Sequence, residues 1–233
     1  MNEIISVKQL SKSYGGLTAV QGLDLSVTQG TVFGLLGANG AGKSTTIECM
    51  LGTRKFDAGT VSILGMNPLL QRKQLFENVG VQLQEANYQD KVTVAELCEV
   101  TQSFYRNAAD YGELLKQFGI FDKAKSMVKE LSGGQRQKLF IVLALIPQPK
   151  VVFLDELTTG LDAKARREVW KILSDLKEKG LTIFLTSHFM DEVEALCDWV
   201  CILKKGKAVF YGTVEKAIAG SPYDKFEDAY LWY

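Results

Sequence analysis

A glycine-rich segment at residues 37–44, GANGAGKS, constrains this chain more than any other part of its sequence. It follows the apolar stretch 31–36 and has the spacing GxxxxGK[ST], which is typical of a phosphate-binding loop between a strand and a helix. Backbone N–H groups converge on phosphate oxygens only where no Cβ intrudes, so the chemistry needs the glycines. Lys43 would reach the β- and γ-phosphates, and the Ser44 hydroxyl would bind Mg²⁺. The segment predicts a nucleotide site; a glycine-rich turn without a ligand is the alternative.

The hydrophobic pattern around this loop predicts an α/β protein. The first 30 residues indicate a β-hairpin that turns at 14–16, and short apolar runs between helices indicate buried parallel strands. Strands are expected at 4–10, 20–27, 31–36, 151–154, 181–186, 200–203 and 208–211, and helices at about 43–50, 93–106, 112–118, 132–146, 163–179, 214–219 and 223–232. The predicted architecture is a parallel α/β core with a helical insertion and an antiparallel β flank.

Composition excludes several classes of function. The chain has 27 Lys and Arg against 27 Asp and Glu, which argues against an electrostatic grip on nucleic acid or on an anionic membrane. The longest wholly apolar run, 139–146, is far shorter than the about 20 residues that a spanning helix needs. No apolar signal stretch opens the sequence. We therefore expect the chain to work in the cytosol, or on a membrane through another polypeptide. The four cysteines have no metal-site spacing and are expected to be buried free thiols.

A second motif supplies carboxylates. The stretch 151–156, VVFLDE, is an apolar strand with two acids at its carboxyl end, where open α/β sheets bind ligands. Neighbouring residues on a strand point opposite ways, so the two acids should do different work. Asp155 is placed to hold Mg²⁺, and Glu156 to orient or deprotonate an attacking water. Alone, such a pair is equally typical of a solvated strand end; the phosphate loop upstream favours the catalytic interpretation.

His188 is the only histidine in the chain. It follows the predicted strand 181–186, whose carboxyl end should neighbour that of Asp155 and Glu156. A lone histidine is more often a satisfied structural residue. Beside the two carboxylates, a contact from His188 to a γ-phosphate becomes the favoured interpretation.

The segment 131–135, LSGGQ, begins the predicted helix that ends near residue 146. Ser132 and Gln135 have the spacing of a capping box, which explains those two side chains. It does not explain Gly133 and Gly134. Exposed N–H groups at this helix start would make a second anion site, although the loop around Lys43 already provides one.

Together these motifs resemble the ATP-binding cassette (ABC) ATPases, specifically the nucleotide-binding subunit of an ABC transporter, over nearly the whole chain. GANGAGKS resembles the Walker A motif, VVFLDE the Walker B motif, and LSGGQRQKL the signature that distinguishes this family from other P-loop proteins. Residues 160–162, GLD, resemble the D-loop, and His188 the switch histidine. The family usually has Pro after the catalytic Glu, whereas this chain has Leu157, which we expect to alter local stiffness without loss of catalysis.

The resemblance implies a P-loop NTPase of the ABC ATPase fold, a single domain over residues 1–233 with a helical subdomain at approximately 85–146. Tyr14 matches the aromatic residue that stacks on adenine; an ordinary hairpin aromatic is the alternative. Gln84 matches the Q-loop glutamine that meets Mg²⁺, with Gln82 a competing choice. The implied catalytic residues are Glu156, His188 and Gln84. The implied metal ligands are Ser44, Gln84 and Asp155. The implied ATP-binding residues are Tyr14, Gly37, Asn39, Gly40, Ala41, Gly42, Lys43, Ser44, Thr45, Ser132, Gly133, Gly134, Gln135 and Asp162.

The resemblance also implies how the site would work. Two such subunits would pair head to tail, as a homodimer or a pseudo-symmetric dimer. Each ATP would be held by the Lys43 loop of one subunit and by Ser132 and Gly134 of the other. Closure on ATP and opening after hydrolysis would move an integral-membrane transporter subunit on a separate chain. The chain is expected at the cytoplasmic face of the cell membrane. Export is the expected direction of transport, because residues 187–213 and 226–233 are similar to the drug-, ion- or antibiotic-exporting branch of the family.

Two other functions are alternatives to this one. The first is a soluble ABC ATPase that acts on ribosomes or DNA; such relatives usually carry paired cassettes, coiled-coil insertions or zinc modules, and no such feature occurs in this sequence. The second is a nucleotide-binding module without turnover. Glu156 and His188 argue against it, because both positions keep their catalytic residue types.

Overall fold

The computed structural model of the chain describes residues 2–82, 91–156 and 158–233. Its strands are β1 (Glu3–Tyr14), β2 (Leu17–Thr28), β3 (Val32–Leu36), β4 (Ala58–Ile63), β5 (Val79–Gln82), β6 (Val151–Asp155), β7 (Thr182–Thr186), β8 (Trp199–Lys204) and β9 (Lys207–Gly212). Its α-helices are α1 (Lys43–Met50), α2 (Arg72–Phe76), α3 (Val94–Ser103), α4 (Tyr111–Gln117), α5 (Gly133–Leu145), α6 (Ala163–Glu178), α7 (Met190–Leu196), α8 (Val214–Ala219) and α9 (Phe226–Trp232).

A six-stranded sheet in the order β5-β6-β7-β3-β8-β9 forms the centre of the part that the structure describes. The first five strands are parallel, and β9 closes the edge antiparallel to β8. Every residue of β3, β6 and β7 is buried, as expected for parallel strands covered on both faces. Asp155 pairs with Thr186 at the ends of β6 and β7, so the carboxyl ends of these strands meet at one edge.

A three-stranded antiparallel sheet, in the order β2-β1-β4, packs beside the central sheet. The hairpin between β1 and β2 turns at Gly15 and Gly16, which both have positive φ. Apolar residues of this sheet share a core with Phe33, Phe153 and Phe184 of the central strands. The predicted β flank is therefore antiparallel, as expected, and its packing fixes it against the strand that leads into the phosphate loop.

Helices α3, α4 and α5 lie in the chain between β5 and β6 and pack with the other face of the sheet in a second core. The predicted capping box at the start of α3 is present, since Glu96 N donates to Thr93 Oγ1 and Thr93 N donates to the Glu96 carboxylate. The fold class predicted from the sequence is confirmed. The limits of a helical subdomain at 85–146 remain a prediction, because residue 85 lies outside the described ranges.

The sequence pattern missed β4, α2 and β5. Gly59 and Thr60 interrupt the apolar pattern of β4, and Gly80 occupies the middle of the four-residue β5. A Cβ at Gly80 would lie 1.9 Å from the Ala144 carbonyl oxygen, so α5 packs directly on the backbone of β5. Close packing of this kind selects glycine where strand propensity would select a β-branched residue.

Within 2–82, 91–156 and 158–233, no helix combines the length and hydropathy that a bilayer crossing requires. The four cysteines are free thiols, and Cys49, Cys98 and Cys201 are buried while Cys197 is partly buried. Burial raises the pKa of Cys201 to about 12, which keeps this thiol protonated and unreactive.

Candidate active site

The phosphate loop connects β3 to α1, as the sequence predicted. Helix α1 begins at Lys43, and the preceding residue is Gly42, which has φ of 105° and no side chain to cap the helix. The amides at the start of α1 are therefore not held by a capping side chain, and the helix dipole favours an anion at this point.

Two glycines of the loop are required by close approach of the backbone. A Cβ at Gly42 would lie 2.3 Å from the Ala19 carbonyl oxygen, and one at Gly37 would lie 2.5 Å from the Leu203 carbonyl oxygen. Both positions also have positive φ. The β2 strand and the end of β8 thus press on opposite parts of the loop and fix its path.

An open pocket of about 300 Å³ lies against the loop. It is lined by Ala19, Asn39, Gly40, Gly42, Lys43, Ser44, Thr45 and Glu156. The structure thus brings together six of the predicted nucleotide-binding residues and adds a predicted catalytic residue, Glu156, from another strand. Gly37 and Ala41 of the loop are buried and do not line the pocket.

The Lys43 ammonium is buried beneath the loop and donates to the carbonyl oxygens of Gly37 at 2.8 Å and Ala38 at 3.4 Å. Burial lowers the pKa of Lys43, and the nearby carboxylates of Glu156 and Asp155 oppose that shift. Lys43 therefore lies near both acids and under the backbone that would cradle phosphate.

Asp155 is buried at the end of β6, and its carboxylate accepts a hydrogen bond from Thr186 Oγ1. Burial raises the pKa of Asp155, and the hydrogen bond from Thr186 opposes this effect. The backbone N–H of Glu156 in turn donates to Thr186 Oγ1 at 3.0 Å. Thr186 thus links both acids, and sequence reasoning missed it; the only signal was its place at the end of the strand next to β6.

Glu156 and His188 are in direct contact, His188 Nε2 with Glu156 Oε1. The Glu156 side chain is 10% exposed and lines the pocket, whereas His188 is 34% exposed and reaches the pocket only through this contact. Glu156 has φ of 52°, a left-handed conformation that L residues adopt at a cost of about 1–3 kcal/mol. This turn directs Glu156 toward the pocket, while Asp155 remains buried in the sheet edge.

The signature segment has the predicted capping geometry. Ser132 N donates to Gln135 Oε1 at 3.1 Å, and Gln135 N donates to Ser132 Oγ at 3.3 Å. Ser132 and Gly133 are exposed. The segment does not line the pocket beside Lys43; it lies near the D-loop of its own chain, where a Cβ on Gly134 would come 3.4 Å from Leu161 Cδ2.

Other predicted positions lie farther from the pocket or outside the described residues. Asp162 caps α6, since its Oδ1 accepts from Ala165 N at 2.8 Å. Tyr14 is 38% exposed at the hairpin end, outside the pocket lining, with Lys12 and Arg54 each 5.3 Å from its ring centroid. Gln84 and Leu157 fall outside the described ranges, while Gln82 is buried at the end of β5.

Two of the three residues predicted to hold Mg²⁺, Ser44 and Asp155, lie in the described ranges and carry oxygen donors. The Ser44 hydroxyl belongs to the pocket lining, and the buried Asp155 carboxylate lies close enough to Lys43 to affect its pKa. Mg²⁺ usually takes one or two carboxylates together with phosphate oxygens and waters, so this donor set fits a metal that arrives with a nucleotide. Among the residues that the structure describes, no cluster of three or more His, Cys, Asp or Glu side chains is arranged to hold a metal by itself.

Comparisons with known proteins agree with this geometry. The protein-family model described as ABC transporter matches residues 20–159 of this chain. Nod factor export ATP-binding protein I of Burkholderia orbicola is 38% identical over 213 residues, which cover 89% of this chain and 70% of that protein. The protein of the same name from Ralstonia nicotianae is 39% identical over 220 residues, covering 92% of this chain and 68% of its own length.

Solved structures share the fold. A structure of the ATP-binding subunit of an ABC transporter superimposes with a TM-score of 0.89 at 26% identity and covers 98% of each chain. An ATP-binding cassette described as a dimer in a post-hydrolysis state with ADP and Pi gives a TM-score of 0.82 at 24% identity, covering 90% of this chain and 98% of its own. At that identity the likeness concerns the fold.

Proposed function

This chain belongs to the ABC transporter family, and we propose that it is the ATP-hydrolysing subunit of an exporter whose membrane part is a separate chain. One observation carries the proposal above the others. Glu156 lines the same pocket as the phosphate loop, so a base and a phosphate site converge although they come from different strands. A nucleotide module without turnover would not need that convergence.

ATP would bind with its phosphates over the loop. The backbone amides at the start of α1 and the Lys43 ammonium supply positive charge, and Lys43 would exchange the carbonyl oxygens of Gly37 and Ala38 for phosphate oxygens. We propose Mg²⁺ as the metal, held by Ser44, Asp155 and Gln84, where it would neutralise charge on the β- and γ-phosphates. Tyr14 would stack on adenine from its partly exposed place at the end of the hairpin.

Hydrolysis would use the contact between Glu156 and His188. The Glu156 carboxylate accepts a proton from water while the water oxygen attacks the γ-phosphorus, and the bond to the bridging oxygen of ADP breaks. His188 orients Glu156 and would contact the γ-phosphate from the exposed side. Thr186 bonds both the backbone N–H of Glu156 and the carboxylate of Asp155, and so ties the positions of the two acids to each other.

We propose that the complete site forms between two subunits. In a single chain the signature segment does not line the pocket, and Ser132 and Gly133 are exposed. A second subunit would bring its Ser132, Gly133, Gly134 and Gln135 onto the ATP, with Asp162 and the D-loop beside them. ATP would then hold the two subunits together, and hydrolysis would remove the γ-phosphate charge that both subunits contact.

Export is proposed from the relatives, which are export ATP-binding proteins and match over about nine-tenths of this chain. The membrane subunit would anchor the chain at the cytoplasmic face, and no contact with nucleic acid is expected. The alternative of a soluble ABC ATPase acting on ribosomes or DNA is not favoured by these relatives. The balanced charge of the chain gives it no support either.

The partnership is tested by isolating the complex from membranes. The tagged chain, extracted in mild detergent, should co-purify in fixed ratio with a polytopic membrane protein, and the complex should hydrolyse ATP. The Lys43→Ala complex, isolated in the same way, should keep the partner but lose hydrolysis. Recovery with ribosomes or DNA and without a membrane protein would contradict the proposal.

A further inference from the structure

Glu192 is a buried carboxylate that the nucleotide site does not contain. It lies in the first turn of α7 and is 1% exposed, although Glu side chains are almost never fully buried unless they are paired. Trp170 of α6 donates from Nε1 to Glu192 Oε1 at 3.0 Å. This bond joins the two helices that follow the two catalytic loops.

The surroundings of the Glu192 carboxylate come from both loops. Thr158 and Ser187 are buried, at 1% and 2% exposure, and both hydroxyls are close enough to lower the pKa of Glu192, which burial raises. Within the described ranges the Thr158 hydroxyl makes no hydrogen bond of good geometry, whereas Ser187 Oγ accepts from Phe189 N at 3.0 Å. Thr158 follows Glu156 by two positions, and Ser187 directly precedes His188.

A second contact from α6 holds the other side of the histidine loop. The Arg166 guanidinium lies 4.2 Å from the ring centroid of Phe189, the residue after His188. It also pairs with Asp191 at 3.4 Å. The charge of Arg166 also acts on Glu192, where it opposes the rise in pKa that burial causes.

We propose that Glu192 is a positioning residue for the Glu156–His188 pair. Trp170 anchors the Glu192 carboxylate. The carboxylate supports the segment at Thr158, which follows Glu156, and the segment at Ser187, which precedes His188. It thereby sets the separation of the two catalytic side chains. The proposal rests on the proposed function, because the pair matters only if Glu156 serves ATP hydrolysis. A buried charge generally costs stability compared with an apolar replacement, so a role in geometry accounts for a carboxylate at this position.

The first test reads His188 directly. Because the chain has a single histidine, isotope-labelled histidine gives one set of imidazole signals in an NMR spectrum. Glu192→Ala should shift or broaden those signals, and Glu192→Gln, which keeps an acceptor for Trp170, should leave them near their wild-type positions. Glu194→Ala is the matched control, because it removes the same charge from an exposed site on α7 and should change nothing.

The second test separates binding from chemistry. Displacement of a catalytic group by about 1 Å can cost about 100-fold in rate, so Glu192→Ala should lower kcat by about 10- to 100-fold with KM for ATP changed less than about threefold. Glu192→Gln should recover kcat to within about threefold of wild type, a rescue that a general loss of folding would not show. If Glu192→Ala does not fold, Trp170→Phe removes the Nε1 donor, together with part of the ring, and should lower kcat in the same selective way.

The result that overturns the proposal is an unchanged His188 signal and an unchanged kcat in folded Glu192→Ala. A Glu192→Gln variant as impaired as Glu192→Ala, or an equal loss of ATP binding and turnover, would also overturn it. A wild-type complex that does not hydrolyse ATP would instead refute the proposed function. The NMR comparison distinguishes the two failures because it needs no turnover.

Discussion

His188 Nε2 contacts Glu156 Oε1 across two loops that follow the neighbouring parallel strands β6 and β7. The pairing of Asp155 with Thr186 at the ends of those strands fixes where both loops start. Thr186 then bonds to the carboxylate of Asp155 and to the N–H of Glu156. The register of the sheet and the Thr186 hydroxyl therefore fix the start of both loops, from which Glu156 and His188 project.

Removing that hydroxyl should impair chemistry selectively. Thr186→Val keeps the shape of the side chain but loses both hydrogen bonds, and we expect kcat to fall about 10-fold or more while ATP affinity stays within about threefold. Thr182→Val is the control, because Thr182 is equally buried on β7 and accepts from Gly30 N away from the site. Both variants should lose about 1–3 kcal/mol of unfolding free energy, measured in urea. Equal loss of kcat in the two variants would refute the role of Thr186.

Gly42→Ala should disrupt the phosphate loop. The new Cβ would lie 2.3 Å from the Ala19 carbonyl oxygen, so β2 or the loop must move. We expect ATP affinity, measured by calorimetry, to fall at least about 10-fold, which corresponds to about 1.4 kcal/mol.

Gly180→Ala is the matched control for that substitution. Gly180 has φ of 93°, and a Cβ added there would meet no atom of the described residues within 4 Å, so the variant carries the same left-handed strain without a clash. It should lose about 1–2 kcal/mol of stability and bind ATP as wild type does. Wild-type ATP affinity in Gly42→Ala would show that the close approach is unimportant.

Ser132→Arg should block pairing of subunits but not binding of ATP. Ser132 is exposed and lies outside the pocket lining, so a large cation there should leave one ATP bound per chain. In the paired state, the Arg side chain would fill the space of the γ-phosphate of the ATP that the other subunit binds, and the subunits could not close. Light scattering with ATP should show a monomer, and calorimetry should show undiminished binding; loss of ATP binding would place Ser132 in the site of its own chain.

Glu192→Gln should change how stability depends on pH. Burial raises the pKa of Glu192 above 4.5, so its contribution to stability is present below 4.5 and is lost as the pH rises through the folded-state value. Glutamine stays neutral throughout. The unfolding free energy of the variant minus that of wild type should therefore increase from about pH 4.5 towards neutrality, in urea titrations at a series of pH values. A constant or decreasing difference would show that Glu192 is not held in a desolvated site.

Sequence reasoning identified the parts of the site that local motifs specify. The phosphate loop, the strand before Asp155 and Glu156, and the capping box at Ser132 each depend on residues within a few positions of one another. Their elements agree with the structure to within a few residues. The adjacency of β6 and β7 was also predictable. Both strands are followed by polar residues, and open α/β sheets bind ligands at the carboxyl ends of their strands.

The sequence did not reveal contacts that depend on tertiary packing. Trp170 and Glu192 look like an ordinary aromatic and an ordinary charge on two helices, and only the packing of α6 on α7 brings them together. Thr186 carries no motif, and its role follows from strand register. Gly80 obscured β5, because contact with α5 requires the absence of a side chain there.

The oligomeric state of Glu156→Gln tests the central claim most directly. The amide keeps the size of Glu156 but cannot accept the proton of the attacking water, so ATP should bind and remain intact. Size-exclusion chromatography with light scattering should show a stable dimer with ATP and a monomer without it, while hydrolysis is abolished. Lys43→Ala should remain monomeric in both conditions. A Glu156→Gln protein that stays monomeric with ATP and hydrolyses it at the wild-type rate would contradict the account.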